Sequence, residues 1–352
     1  MCIRDRYYST PTEVFREAGI STVIWANHLV RGSASAMQSV AKEIHDSETL
    51  VNVEDRVASV DEIFRLQNAD EYTEAERVYL TASQAPRAAV VLAASRGAGL
   101  ESLTADKPKV MLPIAGKPLL RWMIDGFKKH GVNDITVVGG YRADAIDTAG
   151  IKLAINERHG ETGELASLAC AVDKLRDDTV ISYGDLLFRS YIVRDLLDSE
   201  ADFCVVVDSS ATPAVGEDGA AAATPRDLAF CSSPDTRELF GQRAVLQRVA
   251  PSVNPIEPER VDGQWVGLLS VRGKGRERLQ QMVAQLRLRK DFDKLDMPAL
   301  LNALVAAGEQ IEVLYVHGHW RNVNDLEDFR RAGDFAHAQT SFSSSGTGQG
   351  ND

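Results

Sequence analysis

The stretch LAASRGAGLESLTADKPKVMLPIAGKPLL, residues 92–120, decides the predicted fold of this 352-residue chain. An apolar strand runs directly into a loop of small residues, and a lysine-rich segment follows it. Small side chains let backbone N–H groups approach a polyphosphate, and a nearby lysine can offer it positive charge. Small residues also follow strands in ordinary α/β turns, but Lys-Pro-Lys at 107–109 and Gly-Lys-Pro at 116–118 favour a phosphate-binding loop.

Around this stretch, residues 88–337 alternate between apolar strands and helix-length segments. The strands are AAVVLAA, DITVVGG, IKLAIN, TVISYG and DFCVVV. Helices are predicted at residues 119–129, 164–175 and 192–197, with a short one after Tyr141. This alternation is typical of a mostly parallel sheet with helices on both faces, whose ligands bind beyond the carboxyl ends of the strands. We therefore predict an α/β, Rossmann-like fold.

The first 80 residues predict a mainly helical unit. Thr10, Pro11 and Glu13 match the start of a short helix, and residues 21–27 match a buried strand. A longer helix follows, with an apolar face, and a second capping box at Ser59 begins a helical stretch that continues to about residue 80.

The predicted domain organisation has four parts. Later helices end near Ala336, and residues 209–225 are rich in Ala, Gly, Thr and Pro and are predicted to loop out. The four parts are a helical unit in 1–80, a linker in 81–87, an α/β domain in 88–337 and a disordered tail in 338–352.

Composition narrows the class of function. The formal net charge of -12 disfavours binding to nucleic acid, whose backbone would be repelled. No apolar run approaches the roughly 18 residues that a membrane span needs, and no secretory signal is recognisable. The four cysteines lack zinc-ligand spacing. We therefore expect a cytoplasmic protein that contacts neither membrane nor nucleic acid.

Residues 92–120 resemble the N-terminal signature of the nucleotidyltransferase superfamily that makes nucleotide sugars and activates small alcohol phosphates. That signature has the form L-A-A-G-x-G-x-R-L, followed by P-K and G-K-P-L. The residues that match it are Leu92, Ala93, Ala94, Gly97, Leu100, Pro108, Lys109, Gly116, Lys117, Pro118 and Leu119.

Two positions depart from the signature. Ser95 replaces a glycine, which costs little room, whereas Gly99 stands where the family places an arginine that binds the triphosphate. Arg96 is the candidate substitute for that arginine. The resemblance implies a nucleotide site formed by Leu92, Ala93, Ala94, Ser95, Arg96, Gly97, Lys109, Thr162 and Gly163.

Two further segments resemble the family's metal-binding positions. Asp185 follows the strand TVISYG, where a carboxylate can hold Mg²⁺ against phosphate oxygens. In WRNVNDLEDF, residues 320–329, the resemblance implies Asn324 as the second ligand, with Asn322 as the runner-up. Both Asp185 and Asn324 also suit plain helix-capping or turn roles, and that alternative stays open. The implied catalytic residues are Lys109 and Asp185.

The segment GETGELASL, residues 160–168, resembles the part of the family that reads the base and closes on the acceptor. A capping box without further role is the alternative. Trp265 could stack on a ligand or attract an alkylammonium group, although tryptophan more often packs in a core. The predicted acceptor-binding residues are Lys117, Ser167 and Trp265.

Residues 7–80 resemble the C-terminal end of phosphoenolpyruvate mutase, a barrel enzyme of the isocitrate lyase superfamily. A (β/α)₈ barrel needs at least about 200 residues, so mutase activity is not expected here. Fusions of this mutase with a nucleotidyltransferase imply a phosphonate acceptor, for example 2-aminoethylphosphonate, and CTP as the donor. The segment could also act as a dimerising arm that forms a homo-oligomer.

The resemblances predict a magnesium-dependent cytidylyltransferase that acts on a small phosphonate or phosphate. Direct attack of an acceptor oxygen on the α-phosphorus would release pyrophosphate. Two rivals stay open: a sugar-1-phosphate nucleotidyltransferase, and a non-catalytic nucleotide-binding module, for which Gly99 is the reason.

Overall fold

The computed structural model describes residues 9–22, 27–51, 53–67, 87–97, 99–100, 102–210, 227–236, 243–251 and 260–344. The chain divides into two compact units, Met1–Leu80 and Thr81–Asp352. Most of the predicted strand at 21–27, the predicted linker at 81–87 and the predicted loop at 209–225 lies outside the described residues. Among these residues, no helix is both long and apolar enough to cross a membrane.

The first unit is helical where it is described. Its helices are α1 (Thr12–Glu17), α2 (His28–Ser47) and α3 (Val60–Leu66), with a 3₁₀ turn at Glu54–Arg56. The predicted capping box at Ser59 is confirmed in its serine half, since the Ser59 Oγ accepts a hydrogen bond of 3.2 Å from the Glu62 N–H, whereas the Glu62 carboxylate accepts hydrogen bonds from Arg65. The one predicted at Thr10 is wrong, because the helix begins at Thr12 and its N-cap, Pro11, has no side-chain oxygen to offer.

The second unit is built on a nine-stranded mixed sheet. Its central strands lie in the order β6-β1-β4-β5 and are all parallel, while β11 runs antiparallel to β6 and β8. The strands of this sheet are β1 (Arg87–Ala93), β4 (Asp134–Gly139), β5 (Lys152–Ile155), β6 (Asp178–Tyr183), β8 (Phe203–Asp208), β9 (Asp227–Cys231), β10 (Leu246–Pro251), β11 (Gly263–Arg272) and β12 (Glu312–Val316).

Helices cover both faces of this sheet, as predicted. Val90 and Leu92 of β1 point into one apolar cluster, and Ala89, Val91 and Ala93 point into the other. Burial on both faces explains why β1 is a continuous apolar run. The helices are α4 (Leu119–Lys128), α5 (Glu164–Ala169), α6 (Ser190–Leu197), α7 (Lys274–Leu286), α8 (Met297–Ala306) and α9 (Leu326–Ser344).

Several predicted boundaries need correction. The helix predicted at 164–175 ends at Ala169 and is followed by a 3₁₀ turn, and the short helix after Tyr141 is a 3₁₀ turn at Ala143–Ala145. The last helix continues to Ser344, beyond the end predicted near Ala336 and into the predicted tail, whose residues 345–352 lie outside the described chain.

Two short ribbons, which the sequence pattern did not predict, lie beside the large sheet. Strand β2 (Pro113–Ile114) pairs with β3 (Lys117–Pro118), and β7 (Leu186–Phe188) pairs with β13 (Trp320–Asn322). The second ribbon joins the strand that follows Asp185 to the strand that ends at Asn322. It therefore brings two distant parts of the sequence to one end of the sheet.

Candidate active site

A cavity of about 350 Å³ lies at the carboxyl ends of β1 and β6. This is where a parallel sheet is expected to bind its ligands. Strand β6 pairs with β1 as far as Leu92 and Tyr183, so the chain leaves both strands at the same edge. The predicted site residues that line the cavity are Leu92, Ala93, Ala94, Ser95, Lys109, Thr162, Gly163, Ser167, Asp185 and Asn324.

Lys109 lies at the centre of the cavity's polar wall. Its side chain is 7% exposed, and its Nζ donates hydrogen bonds to Asp185 Oδ2 at 2.8 Å and to Asn324 Oδ1 at 2.7 Å. Neither contact is local, since the partners lie 76 and 215 residues away along the chain. Lys109 thus directly contacts both residues that are predicted to bind the metal.

Unpaired oxygen atoms mark the same wall as suited to a cation. Asp185 Oδ1 and Asn322 Oδ1 are buried and accept no hydrogen bond. Among the described residues, no group of three or more His, Cys, Asp and Glu side chains is arranged to hold a metal ion. The donor set, one carboxylate with amide oxygens, fits a magnesium ion that takes most of its ligands from water and a bound phosphate.

The backbone around Asn324 is held in place from two sides. The Val323 N–H donates to the Asp185 carbonyl at 3.0 Å, and the Asn324 N–H donates to Asp328 Oδ2 at 3.1 Å. These contacts join the start of α9 to the strand end that carries Asp185. The Asn324 side chain is therefore free to face Lys109 instead of capping the helix.

The packing around Gly99 explains why a glycine replaces the arginine of the family's signature. A Cβ at this position would lie 2.5 Å from the Asn324 carbonyl oxygen, and Gly99 forms an isolated β-bridge with Asp325. The phosphate loop therefore packs backbone to backbone against the segment that carries Asn324. A side chain at position 99 would force the two segments apart.

The loop before α5 is fixed by a residue that the sequence did not identify. Asn156 is buried, and its Nδ2 donates to Thr162 Oγ1 at 2.9 Å and to Ser167 Oγ at 3.0 Å. The backbone N–H of Gly163 donates to the Asp293 carbonyl at 2.8 Å. Asn156 directly follows the last residue of β5. A polar residue at the end of a strand is the feature of the sequence that could have identified it as a site residue.

The sequence analysis also did not identify two carboxyl groups that line the cavity, those of Asp227 and Glu164. Burial, together with the charges of Asp296, Glu164 and Asp185, raises the pKa of Asp227 to about 7. Burial raises the pKa of Glu164 as well, and the charges of Asp296 and Asp185 add to the shift. Every charge that shifts these two pKa values is another carboxylate, so this side of the cavity attracts a cation.

Arg96, predicted to bind the nucleotide, and Lys117, predicted to bind the acceptor, are not among the residues that line the cavity. The Arg96 guanidinium lies 5.2 Å from the centre of the Tyr141 ring. The Lys117 ammonium forms an ion pair with Asp125 and lies 4.2 Å from the centre of the Trp122 ring. Both side chains are thus engaged with neighbours outside the cavity.

Gly97 and Trp265 also lie outside the cavity lining. Gly97 is packed against the Lys109 side chain, where a Cβ would lie 3.0 Å from the lysine Cδ. Trp265 is 3% exposed, and its Nε1 donates to the Leu268 carbonyl at 3.1 Å. Its ring lies 5.3 Å from that of Tyr183, which does line the cavity. Trp265 therefore supports the wall from the core.

The fold and the cavity define a class of protein: an α/β protein with a polar cavity at the carboxyl ends of its parallel strands, lined by a loop of small residues and a buried lysine. A family model for the MobA-like NTP transferase domain matches residues 89–296, which is more than half of the chain. The chain belongs to this family and is a nucleotidyltransferase.

Similarity to individual proteins follows the division into two units. The chain is 24% identical over 259 residues to a CTP:phosphoglutamine cytidylyltransferase of Campylobacter jejuni, a match that covers 68% of this chain and 96% of that protein. It is 50% identical over 78 residues to a phosphoenolpyruvate phosphomutase of Tetrahymena pyriformis. That match covers 22% of this chain but only 26% of the phosphomutase.

A third relative and a solved structure complete the comparison. The chain is 27% identical over 148 residues to a CMP-5'-(3-aminopropyl)phosphonate synthase of Streptomyces rubellomurinus. This match covers 40% of this chain and 24% of that protein. Its fold matches a CTP:phosphocholine cytidylyltransferase from Streptococcus pneumoniae with a TM-score of 0.55 at 17% identity. That alignment covers 71% of this chain and 99% of the other. The resemblances to a nucleotidyltransferase and to a phosphomutase segment are thereby confirmed.

Proposed function

We propose that this nucleotidyltransferase transfers CMP from CTP to a small phosphonate or phosphate acceptor. The observation that carries the proposal is the contact of Lys109 with Asp185 and Asn324 in the wall of the cavity. A buried ammonium next to two oxygen ligands, beside a loop of small residues, is what a triphosphate and its magnesium ion require.

In the proposed reaction an oxygen of the acceptor attacks the α-phosphorus of CTP. A new P–O bond forms, the bond from the α-phosphorus to the bridging oxygen breaks, and pyrophosphate leaves with the electron pair. Backbone N–H groups of residues 93–97 bind the phosphates, and Lys109 offsets the charge that develops on them. Asp185 and Asn324 would hold Mg²⁺, which supplies further positive charge to the phosphate oxygens.

The choice of CTP rests on the relatives. The Campylobacter and Streptococcus proteins are both named as CTP-dependent cytidylyltransferases, and the Streptomyces protein is named as a CMP-phosphonate synthase. Thr162 and Gly163 lie in the loop that resembles the family's base-reading segment, and both line the cavity. We assign them to the nucleotide.

The choice of acceptor rests on charge and on the neighbouring unit. Glu164 and Asp227 line the cavity, and the charges that shift their pKa values all come from carboxylates, so an acceptor with an ammonium group would be favoured. The first unit resembles a phosphomutase, and one relative is named for an aminoalkyl phosphonate product. These observations support 2-aminoethylphosphonate as the acceptor.

The direct test is a screen for pyrophosphate release. Each of the four common nucleoside triphosphates is incubated with magnesium and with aminoalkyl phosphonates, alcohol phosphates or sugar 1-phosphates. We expect the highest kcat/KM with CTP and an aminoalkyl phosphonate. Highest activity with a sugar 1-phosphate would replace this proposal with the sugar-nucleotide alternative. Calorimetric binding of CTP without any turnover would make the chain a nucleotide-binding module.

Replacement of Lys109 tests the central observation. Lys109→Ala should lower kcat by about 10²–10³, the cost of removing one group that stabilises transition-state charge. Lys117→Ala is the matched control, because this lysine follows the same loop but lies outside the cavity. Equal turnover by wild type and Lys109→Ala would rule out the assigned role.

A further inference from the structure

Lys109 occupies one oxygen atom of each of the two side chains proposed to hold the metal ion, while Asp185 Oδ1 stays unpaired. Its ammonium is within hydrogen-bond distance of one oxygen of Asp185 and one of Asn324, at 2.8 and 2.7 Å. The lysine side chain is almost completely buried, and the Asp185 side chain is 23% exposed. The charge of the Asp185 carboxylate is therefore already neutralised by a residue of the chain itself, which also holds Asp185 and Asn324 together.

An ammonium and a divalent cation compete for these atoms. Magnesium binds carboxylate oxygens at about 2.1 Å and demands a regular arrangement of its ligands. A positive charge within about 4 Å would repel the ion strongly in a cavity shielded from solvent. For a metal ion to bind the free protein, the lysine would have to leave both oxygens. Its ammonium would then have lost its anionic partner without gaining another, which makes this step unfavourable.

A triphosphate would provide that partner. Lys109 lines the same cavity as Ala94 and Ser95, and its aliphatic stem packs against Gly97 of the phosphate loop. Phosphate oxygens bound to this loop would lie within reach of a small movement of the ammonium. The lysine would then exchange its contacts with one carboxylate and one neutral amide for contacts with a strongly anionic phosphate group.

We propose that Lys109 makes metal binding conditional on the triphosphate. In the free protein it closes the metal position by bridging Asp185 and Asn324. Bound phosphate draws it away and frees both oxygens. This inference rests on the proposed function, because it takes the same residues as the metal site, and it adds an order: the triphosphate opens the position that the metal fills.

Binding of Mn²⁺, measured by electron paramagnetic resonance without nucleotide, tests the proposal. The neutral variant Lys109→Met should bind Mn²⁺ about tenfold more tightly than wild type, within the usual range of coupling between two sites. Lys109→Arg keeps the charge and should bind as weakly as wild type. Asp185→Asn in the Lys109→Met background should remove the gained binding, which places it at this site.

A second measurement links the lysine to the phosphate. A non-hydrolysable CTP analogue should tighten Mn²⁺ binding more in wild type than in Lys109→Met, because the variant has no bridge left to open. Lys109→Gln provides a second neutral side chain if the methionine variant fails to fold, and Lys174→Met, at an exposed lysine paired with Asp173 outside the cavity lining, should behave as wild type.

Equal Mn²⁺ affinity in wild type and in the neutral variants would overturn the inference. That outcome is distinct from failure of the proposed function, which is judged by pyrophosphate release from the wild-type protein. An active wild type whose neutral variants bind Mn²⁺ no better would retain the function and lose the inference. Tighter Mn²⁺ binding by the neutral variants, combined with an inactive wild type, would retain the inference and lose the function.

Discussion

Burial and neighbouring carboxylates make the ionised form of the Asp227 carboxyl group unfavourable. Its folded-state pKa of about 7 lies above the ordinary value of 3.8, so the folded chain holds a proton that the unfolded chain has released. The free energy of unfolding therefore falls as the pH rises from about 4 to 7. A cation next to Asp227 would remove this cost, as the proposed ammonium group of the acceptor does.

Asp227→Asn should consequently stabilise the protein at high pH. We expect its free energy of unfolding at pH 8 to exceed that of wild type by about 2 kcal/mol, with the difference disappearing near pH 4. Urea unfolding across this range measures the effect. Asp291→Asn is a control of opposite sign, because hydrogen bonding to Arg289 lowers the pKa of Asp291 and its charge is favourable. A pH-independent difference would contradict the account.

Gly99 gives a second prediction at the same scale. The family's signature suggests that Gly99→Arg would restore a triphosphate ligand, but the contact with the Asn324 carbonyl indicates the opposite. We expect this variant to lose about 1–3 kcal/mol of stability from overpacking and at least about tenfold in kcat. Ser95→Gly, which also restores the signature, should leave both unchanged. A more active Gly99→Arg would show that the two segments can separate without loss.

The loop before α5 is the element whose placement matters for both proposed substrates, because it carries Thr162 and Gly163, which we assign to the nucleotide, and leads into the helix that carries Ser167. Gly163 lies directly against the Leu295 carbonyl oxygen, so no side chain fits between them. Thr162 and Ser167 are held by Asn156, and Glu164 begins the helix. A shift of this loop would move all three cavity residues together.

A matched pair of glycines tests this element. Gly163→Ala should push the loop away from residues 293–295, cost about 1–3 kcal/mol of stability and raise the KM values for both CTP and the acceptor. Gly160→Ala lies in the same loop with open space around its Cβ position and should change neither. Thermal unfolding and titrations of CTP and of the acceptor compare the two variants. Similar effects of both substitutions would argue for a general loss of loop flexibility instead.

Burial within the second unit leads to a prediction about the whole molecule. Its three apolar clusters are formed by residues between Ala89 and Ala336, so it contains a complete core of its own. A variant that lacks residues 1–80 should keep its Tm within about 2 °C, and its kcat should match that of the full chain. Light scattering of both forms tests whether the first unit forms a homo-oligomer. Loss of activity on truncation would assign the first unit a part in the site.

Sequence patterns predicted the nucleotidyltransferase fold well, because its determinants are local. The strand β1 is recognisable from seven consecutive apolar or small residues after Arg87, and the loop that follows is recognisable from its small residues. Lys109, Asp185 and Asn324 could be selected by resemblance, since each stands in a short motif. Helix ends were less predictable where a 3₁₀ turn continues the apolar pattern, as after Ala169.

Contacts between distant residues were decided by the tertiary structure alone. Pairing of β7 with β13 and of β6 with β1 brings Lys109 to its two partners, and no local pattern encodes a contact across 215 residues. The same applies to Asp227, whose pKa depends on carboxylates from other elements, and to Trp265, which the fold places in the core. The sequence by itself determined the class of protein and the chemistry of its loop. Only the folded chain decided which charges meet, because Coulomb interactions and close packing depend on distances in space.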